Sequence, residues 1–306
     1  PTPDQQATFD QVPFINQNSN TVGVTWKRRF KDQSGFMEVS LSNNSLWNTY
    51  SEYNDNASQT ELRFQNDALE SETKLRLAVN RFAEGWKWSH GLNLQRAFYE
   101  NSTLNTLAAY QYNTSLDFLN YGLFAQGSKD FLQDRLALSF GFRMDGDTFI
   151  KGSNLLKTFS PRASASYALT PSWKLNGTAG VYYKIPPYTM LGFQNTAQEF
   201  LNQDLDYTRS THLVLGVEKI LNPTARVSLE GFYKYYSDYP VSLEDGVSIA
   251  NKGAGFEVLG NEAIASVGKG KAYGLELLWQ QKLMDRFFGI FSYTYFYSTF
   301  SGLDPK

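Results

Sequence analysis

Along residues 226–236 apolar and polar side chains alternate. Val227, Leu229, Gly231, Tyr233 and Tyr235 share one parity; Arg226, Ser228, Glu230 and Lys234 share the other. Successive side chains of a strand point to opposite faces, so this period of two predicts a strand with one greasy and one wet face. The alternation recurs in pairs. It predicts strands at 21–29 and 36–48, 72–82 and 86–99, 117–128 and 135–145, 159–169 and 173–184, 207–220 and 225–236, and 271–282 and 286–300. Short turns join each pair, among them Ala83-Glu84-Gly85, Thr170-Pro171-Ser172 and Leu283-Met284-Asp285. Glycine, proline, asparagine and aspartate recur in these turns, as chain reversals favour. Longer polar, aromatic-rich loops are predicted at 49–71, 100–116, 146–158, 185–206 and 237–270. Residues 61–65 read either as an extension of the neighbouring strand or as a small hairpin within its loop, and 191–201 has room for a short helix.

Long antiparallel strands whose connections alternate between short and long are the pattern of a transmembrane β-barrel. A β-sandwich also alternates, but its strands usually run about five or six residues. The fold class predicted is therefore all-β, an antiparallel transmembrane β-barrel with about twelve strands visible. In bacterial barrels the short turns face the periplasm and the long loops face outside, which predicts a bacterial outer-membrane location. No apolar run approaches the roughly 20 residues of a spanning helix.

Composition sharpens this. Aromatic residues make up 16% of the 306, with 19 Tyr and 23 Phe, as expected of girdles at both membrane interfaces. The chain has no cysteine, which excludes a disulfide framework and a thiolate metal site. His90 and His212 are the only histidines, so metal or acid–base chemistry has little to work with, and no cofactor is expected. Catalysis is not expected either, because neither histidine has a serine partner at its own height and no nucleophile motif is visible. A net charge of −2 does not point to nucleic acid.

Three segments carry a resemblance. The first runs Phe159-Ser160-Pro161-Arg162-Ala163-Ser164-Ala165-Ser166-Tyr167, then a turn, then Lys174-Leu175-Asn176-Gly177-Thr178-Ala179-Gly180-Val181-Tyr182-Tyr183-Lys184 and Pro186-Pro187. The second is Glu218-Lys219 followed by Gly231-Phe232-Tyr233-Lys234-Tyr235-Tyr236-Ser237-Asp238. The third is Gly270-Lys271-Ala272-Tyr273-Gly274-Leu275-Glu276-Leu277. In this order and spacing they resemble the barrel of a TonB-dependent outer-membrane receptor of the Bacteroidetes type, over almost all of the chain. The resemblance implies a 22-stranded barrel plugged by an N-terminal domain. It also implies uptake of a bulky nutrient (an iron chelate, a cobalamin-like cofactor or an oligosaccharide), powered through TonB acting on the plug.

The expectation is that residues 1–306 are a partial barrel domain, with the plug and flanking strands outside it. If tight turns are periplasmic, the first strand descends from outside and the last strand stops outside. Residues 1–20 then read as the tail of an external loop. The residues from Ser301 to Lys306 lack the aromatic-terminated closing strand of the family. An open sheet leaves two edges that lipid cannot satisfy, so further strands are expected.

Two sets of candidate residues follow. Loop aromatics stack on sugar rings and aromatic chelators, so Trp47, Tyr50, Tyr53, Tyr188, Phe193 and Phe200 are candidate ligand contacts. The same rings also suit an interface belt or the packing of their own loops. The wet strand faces carry Arg143, Asp145, Arg162, Glu218, Arg226 and Glu230, with Arg135, Lys174, Lys234 and Glu276 beside them. These charges suit contact with a plug, a solute path or cross-strand pairing, with Arg226–Glu218 as one pair. His90 falls on the greasy parity and His212 on the wet one, the latter a faint candidate for an iron chelate. The partners implied are outer-membrane lipid, the receptor's own plug domain and TonB, with room for a surface lipoprotein. The competing functional readings are a scaffold subunit of an outer-membrane complex and a passive channel.

Overall fold

The computed structural model describes residues 2–10, 12–106, 109–195, 197–253, 259–284 and 286–303. Among these, twelve strands form one antiparallel sheet in strict sequence order. They are β1 (Phe14–Arg29), β2 (Gly35–Asp55), β3 (Thr60–Ala83), β4 (Trp86–Asn105), β5 (Tyr110–Phe131), β6 (Leu136–Asp147), β7 (Ser160–Thr170), β8 (Trp173–Lys184), β9 (Thr208–Asn222), β10 (Ala225–Ser242), β11 (Ile264–Met284) and β12 (Phe287–Phe300). All six expected hairpins form. The Leu283–Asp285 turn holds in part: Met284 ends β11, while Asp285 lies outside the described residues, as do Asp304, Pro305 and Lys306.

The two parities meet different surroundings. Leu213, Leu215, Leu229, Tyr233, Leu275, Phe291 and Tyr295 all lie on one face, and each is more than a third exposed. Among the described residues no second layer covers that face. A continuous apolar surface of this extent needs an apolar solvent. Its lower border carries Trp86, Trp88 and Phe140 in mutual contact, and Lys219 lies over the Trp173 ring. Tyr233 and Tyr273 stack near its upper border. These are the interface aromatics that a barrel requires.

The strands outrun the membrane. Residues 49–55 and 60–71, expected as loop, continue β2 and β3, and residues 100–105 and 110–116 likewise extend β4 and β5. The segment 61–65 is therefore a strand extension. A tilted strand crosses the hydrocarbon in about 9–11 residues, so β3 with its 24 residues stands well above it. The outward positions there become mostly polar, with Thr73, Ser71 and Asp67 on β3 and Arg96 and Glu100 on β4, interrupted by Leu69 and Phe98. With water on both sides, the greasy–wet alternation fades.

Residues 3–20 also differ from expectation. Pro3–Asp10 form helix α1 and β1 begins at Phe14. The amide of Asn56, buried at the β2–β3 turn, donates to the carbonyls of Phe9 (2.6 Å) and Val12 (2.8 Å) and holds the helix there. The short helix expected within 191–201 sits earlier, as α2 (Tyr188–Leu191), followed by a bridge between Gln194 and Phe200.

Candidate functional site: the inward face beneath the external loops

The described residues of the external segments 148–159, 185–207 and 243–263 fold inward over the upper sheet instead of standing clear of it. Part of their apolar side chains is buried by doing so, while Leu156, Leu201, Leu243 and Val247 stay exposed. Ile150, Tyr188, Met190, Leu191, Leu205, Ile249 and Ile264 form one cluster with the inward residues Ala97, Tyr99, Leu116 and Phe118 of β4 and β5. Helix α2 lays Tyr188 against the Phe118 ring (5.7 Å) and the Tyr99 ring (6.2 Å). Its hydroxyl donates to Glu72 Oε1 at 2.7 Å and accepts from Gln95 at 3.1 Å. Burial, and then Glu72, push this hydroxyl well above the usual tyrosine range. Thr114 donates to the Gly192 carbonyl at 2.7 Å, and Tyr112 donates to the same oxygen. The turn after α2 is thereby fastened to β5.

The next loop has its own anchor. Asp147 accepts the backbone N–H groups of Phe149 (2.8 Å) and Ile150 (2.6 Å), the Ser153 hydroxyl (2.7 Å) and the Tyr207 hydroxyl (3.1 Å). Buried Asn202 ties the loops together: it donates to the carbonyls of Met190 (2.8 Å) and Glu262 (2.9 Å) and accepts the Ile264 N–H (3.0 Å). In the third loop Lys252 joins Glu262 (2.8 Å) and Asp245 (2.8 Å).

Beside this packing lies a cavity of about 930 Å³, within the about 300–1,000 Å³ usual for ligand sites. One lateral row of the sheet floors it: Asn48, Ala68, Asn101 and Thr114 pair in succession across β2 to β5. Gln194, Gln198 and Phe200 reach it from the loop. Asn101 is only 3% exposed. Its Oδ1 accepts from Thr103 Oγ1 (2.9 Å), which in turn accepts from Asn66 Nδ2 (2.7 Å). Among the described residues Asn48 Oδ1 has no hydrogen-bond partner, and Asn101 Nδ2 makes no full hydrogen bond and neighbours the Tyr99 hydroxyl.

The candidate aromatics separate. Tyr188, Phe193 and Phe200 share the inward-folded loop: Tyr188 is buried, Phe193 lies against Tyr112 (6.0 Å), and Phe200 packs edge-on to Phe149 (5.1 Å) and borders the cavity. Trp47 borders the cavity through β2, with its side chain on the outward parity and 45% exposed. Tyr50 points inward one row higher and donates to Glu52 (2.5 Å). Tyr53 lies away from the cavity, against Phe14 (5.8 Å).

The candidate charges all share the inward parity. Arg143 grips Asp145 through two bonds of 2.6 and 2.7 Å. Arg226 meets Glu218 at 3.1 Å and also donates to Gln280. Arg162 lies over the Tyr182 ring (4.3 Å), in the space left by the missing side chain of Gly180. Arg76 covers Phe124 in the same way (4.5 Å). Glu230 stands directly opposite Glu276. His212 lies tilted against the Tyr182 ring (4.6 Å), and His90 faces outward beside Val79. Among the described residues no group of three or more histidine, cysteine or acidic side chains is placed to hold a metal ion.

Asn48, Asn101, Thr114, Gln194 and Gln198 were not among the expected site residues. A signal was present in 101–105 and 112–118, where Asn101, Thr103 and Asn105, and then Tyr112, Thr114, Leu116 and Phe118, alternate with a period of two inside stretches that read as loop.

Comparison with known proteins adds the following. A family model described as "TonB dependent receptor-like, beta-barrel" matches residues 1–305. Among solved structures, the copper transporter OprC is similar with a TM-score of 0.68 at 13% identity, over 93% of this chain and 47% of its own. The alcaligin receptor FauA from Bordetella pertussis gives 0.60 at 14% identity, over 96% and 48%. The ferric enterobactin receptor PfeA from Pseudomonas aeruginosa gives 0.64 at 18% identity, over 92% and 43%. At these identities the likeness shows the fold. The chain spans about half the length of the solved structures it matches. No curated protein matches the sequence.

Proposed function

We propose, from the premise that the chain belongs to the TonB-dependent receptor β-barrel family, that it forms about half of the wall of an outer-membrane receptor for a bulky nutrient. The family is one of outer-membrane proteins, and the exposed apolar band fits that solvent. The reading rests on one observation. External loops fold into the upper mouth and bury their own apolar residues, yet leave a polar cavity open beside them. A passive pore has no need of such a pocket, whereas a receptor captures its ligand before moving it. The nutrient class proposed is an iron chelate, a cobalamin-like cofactor or an oligosaccharide, and the three sequence segments support a Bacteroidetes-type member.

Energy enters, in this reading, through the receptor's own plug domain and TonB. The inward wall offers the plug a charged surface. Glu230 and Glu276 oppose each other, and among the described residues neither forms an ion pair. Like charges directly opposite on adjacent strands are destabilising, so a cation supplied from within the lumen relieves them. Arg76 and Arg162 offer the opposite sign on other strands.

The test is uptake. Cells producing the whole receptor are given radiolabelled ferric chelates, cobalamin and oligosaccharides, with and without TonB. Accumulation of one class that stops without TonB supports the proposal. Steady bilayer conductance with uptake indifferent to TonB assigns the protein to the passive channels instead.

A further inference from the structure

We infer that the cavity under the 185–207 loop binds a neutral, polyhydroxylated ligand, a glycan segment, and rejects anionic metal chelates. This rests on the receptor reading above and narrows it to one substrate class.

The first argument is charge. Two consecutive inward rows of the wall, Asn48–Ala68–Asn101–Thr114 and Tyr50–Asn66–Thr103–Tyr112, hold no ionisable group other than tyrosine hydroxyls. No lysine, arginine or histidine lines the cavity among the described residues. The row beneath brings Glu70 inward, and the first inward cation further down β3, Lys74, is held by Glu72 at 2.5 Å. An anionic chelate entering here loses hydration, meets no cation and approaches a carboxylate. Sites for such anions are built from arginine and lysine.

The second argument is the state of the amides. The Asn66–Thr103–Asn101 relay occupies Asn101 Oδ1 and turns its amide nitrogen out of the relay. Among the described residues that nitrogen makes no full hydrogen bond and has the Tyr99 hydroxyl as its polar neighbour, although the residue is almost fully buried. On the same row, Asn48 Oδ1 also has none. A buried polar atom without a partner costs free energy until something supplies one. The Asn48 and Asn101 amides on this single row match hydroxyls, which donate and accept at once, and since their two unpartnered atoms are closed to solvent a hydroxyl reaches them only as the side chains turn. Gln194 and Gln198 add amides from the loop side, and the Phe200 ring adds an apolar face of the kind sugar rings lie against.

The whole receptor, purified in detergent, is applied to an array of neutral glycans, with a ferric catecholate and cyanocobalamin titrated separately. The expected result is retention of a neutral glycan class and no binding of the catecholate. Gln194→Ala with Gln198→Ala weakens retention about tenfold, the loss of one or two hydrogen bonds. Phe200→Ala weakens it as well. The two glutamines lie on the loop side, so folding survives their loss; Asn101→Leu is read only where a folded barrel is recovered. Retention of no neutral glycan, retention indifferent to the glutamine pair, or catecholate or cobalamin binding that depends on these residues each overturns the inference. A map of the receptor with a protein segment filling the cavity does so too. TonB-dependent uptake of an anionic chelate would overturn the glycan assignment and leave the receptor reading standing.

Discussion

Replacing Leu215 by arginine in the whole receptor tests the assignment of faces directly. Leu215 lies on β9 with its side chain outward and 60% exposed. Its cross-strand neighbours are Gly177 and Gly231, so the longer side chain meets no lateral crowding and the effect is one of transfer between solvents. The depth can be worked from the register. Four residues below is Lys219, on the Trp173 ring; four residues above is Thr211, opposite Tyr235. A strand rises about 3.4 Å per residue and tilts by roughly 40°, so each residue climbs about 2.6 Å. Leu215 therefore sits about 10 Å from either border of a band of about 21 Å, close to the roughly 25 Å of an outer-membrane barrel. Arginine at that depth costs about 2–4 kcal/mol. Leu229 is two residues nearer the lower border on the adjacent strand, opposite Val217, so Leu229→Arg costs less, moving toward the about 0–1 kcal/mol found at an interface. Thr178 points inward on β8 and is exposed, so Thr178→Arg stays within about 0.5 kcal/mol. The assay is reversible urea unfolding from lipid vesicles, read by tryptophan fluorescence. Equal penalties for Leu215→Arg and Thr178→Arg, or a larger one for Leu229→Arg than for Leu215→Arg, refute the two-solvent account.

Three further outcomes are expected. Tyr188→Phe removes the bonds to Glu72 and Gln95 from a buried site, so it loosens the 185–207 loop by about 1–3 kcal/mol, seen as faster proteolysis there with global unfolding nearly unchanged. A double-mutant cycle on Arg226 and Glu218, whose side chains are 48% and 18% exposed, returns a coupling of about 0.2–1 kcal/mol, and a much larger value would mean that the inward face is dry. Burial, and then the charge of Glu72, raise the Glu70 carboxyl above its ordinary 4.5. The folded state therefore holds its proton to higher pH than the unfolded state, and stability falls as pH rises from 4.5 through the raised value. Glu70→Gln abolishes that fall and stabilises the protein at neutral pH, measurable as a denaturation midpoint that no longer moves across this window.

How legible the molecule was depended on the solvent at each height. Between the aromatic borders one face meets hydrocarbon, so alternation is enforced residue by residue. Leu136, Leu138, Phe140 and Phe142 announced β6, and Trp173, Leu175, Ala179 and Val181 announced β8. The parity also placed Arg226 and Glu218 on one face and within reach of each other. Above the upper border nothing selects greasy residues for the outward side. Thr73 pairs with Arg96 and Leu69 with Glu100 on that face, and the strand signal fell to the level of a loop. Apart from residues 61–65, for which a strand extension was one of two readings, the extensions of β2 to β5 were missed for this physical reason, and with them the row that floors the cavity.

The loops failed to announce their place for a different reason. Ile150, the pair Tyr188 and Met190, Leu205 and Ile249 come from separate stretches of sequence and none sits in a long periodic run, yet they converge on Ala97, Tyr99, Leu116 and Phe118. What unites the two sets is only that each is apolar in a place where its own neighbourhood is wet. The inward face of β4 and β5 becomes apolar just above the membrane, where a water-filled channel would call for polar residues. The outward face of the same strands becomes polar at the same height, with Arg96 and Asp117 paired across it. This reversal of the two faces is what draws the loops into the mouth. Charges in the loops would have stood in water; apolar side chains fold inward, cover one part of the wall and stop beside the adjoining asparagine row, where the cavity begins. The ligand site in this reading is therefore set by where the apolar patch on β4 and β5 ends, between Tyr99 and Asn101, more than by any motif in the loops themselves.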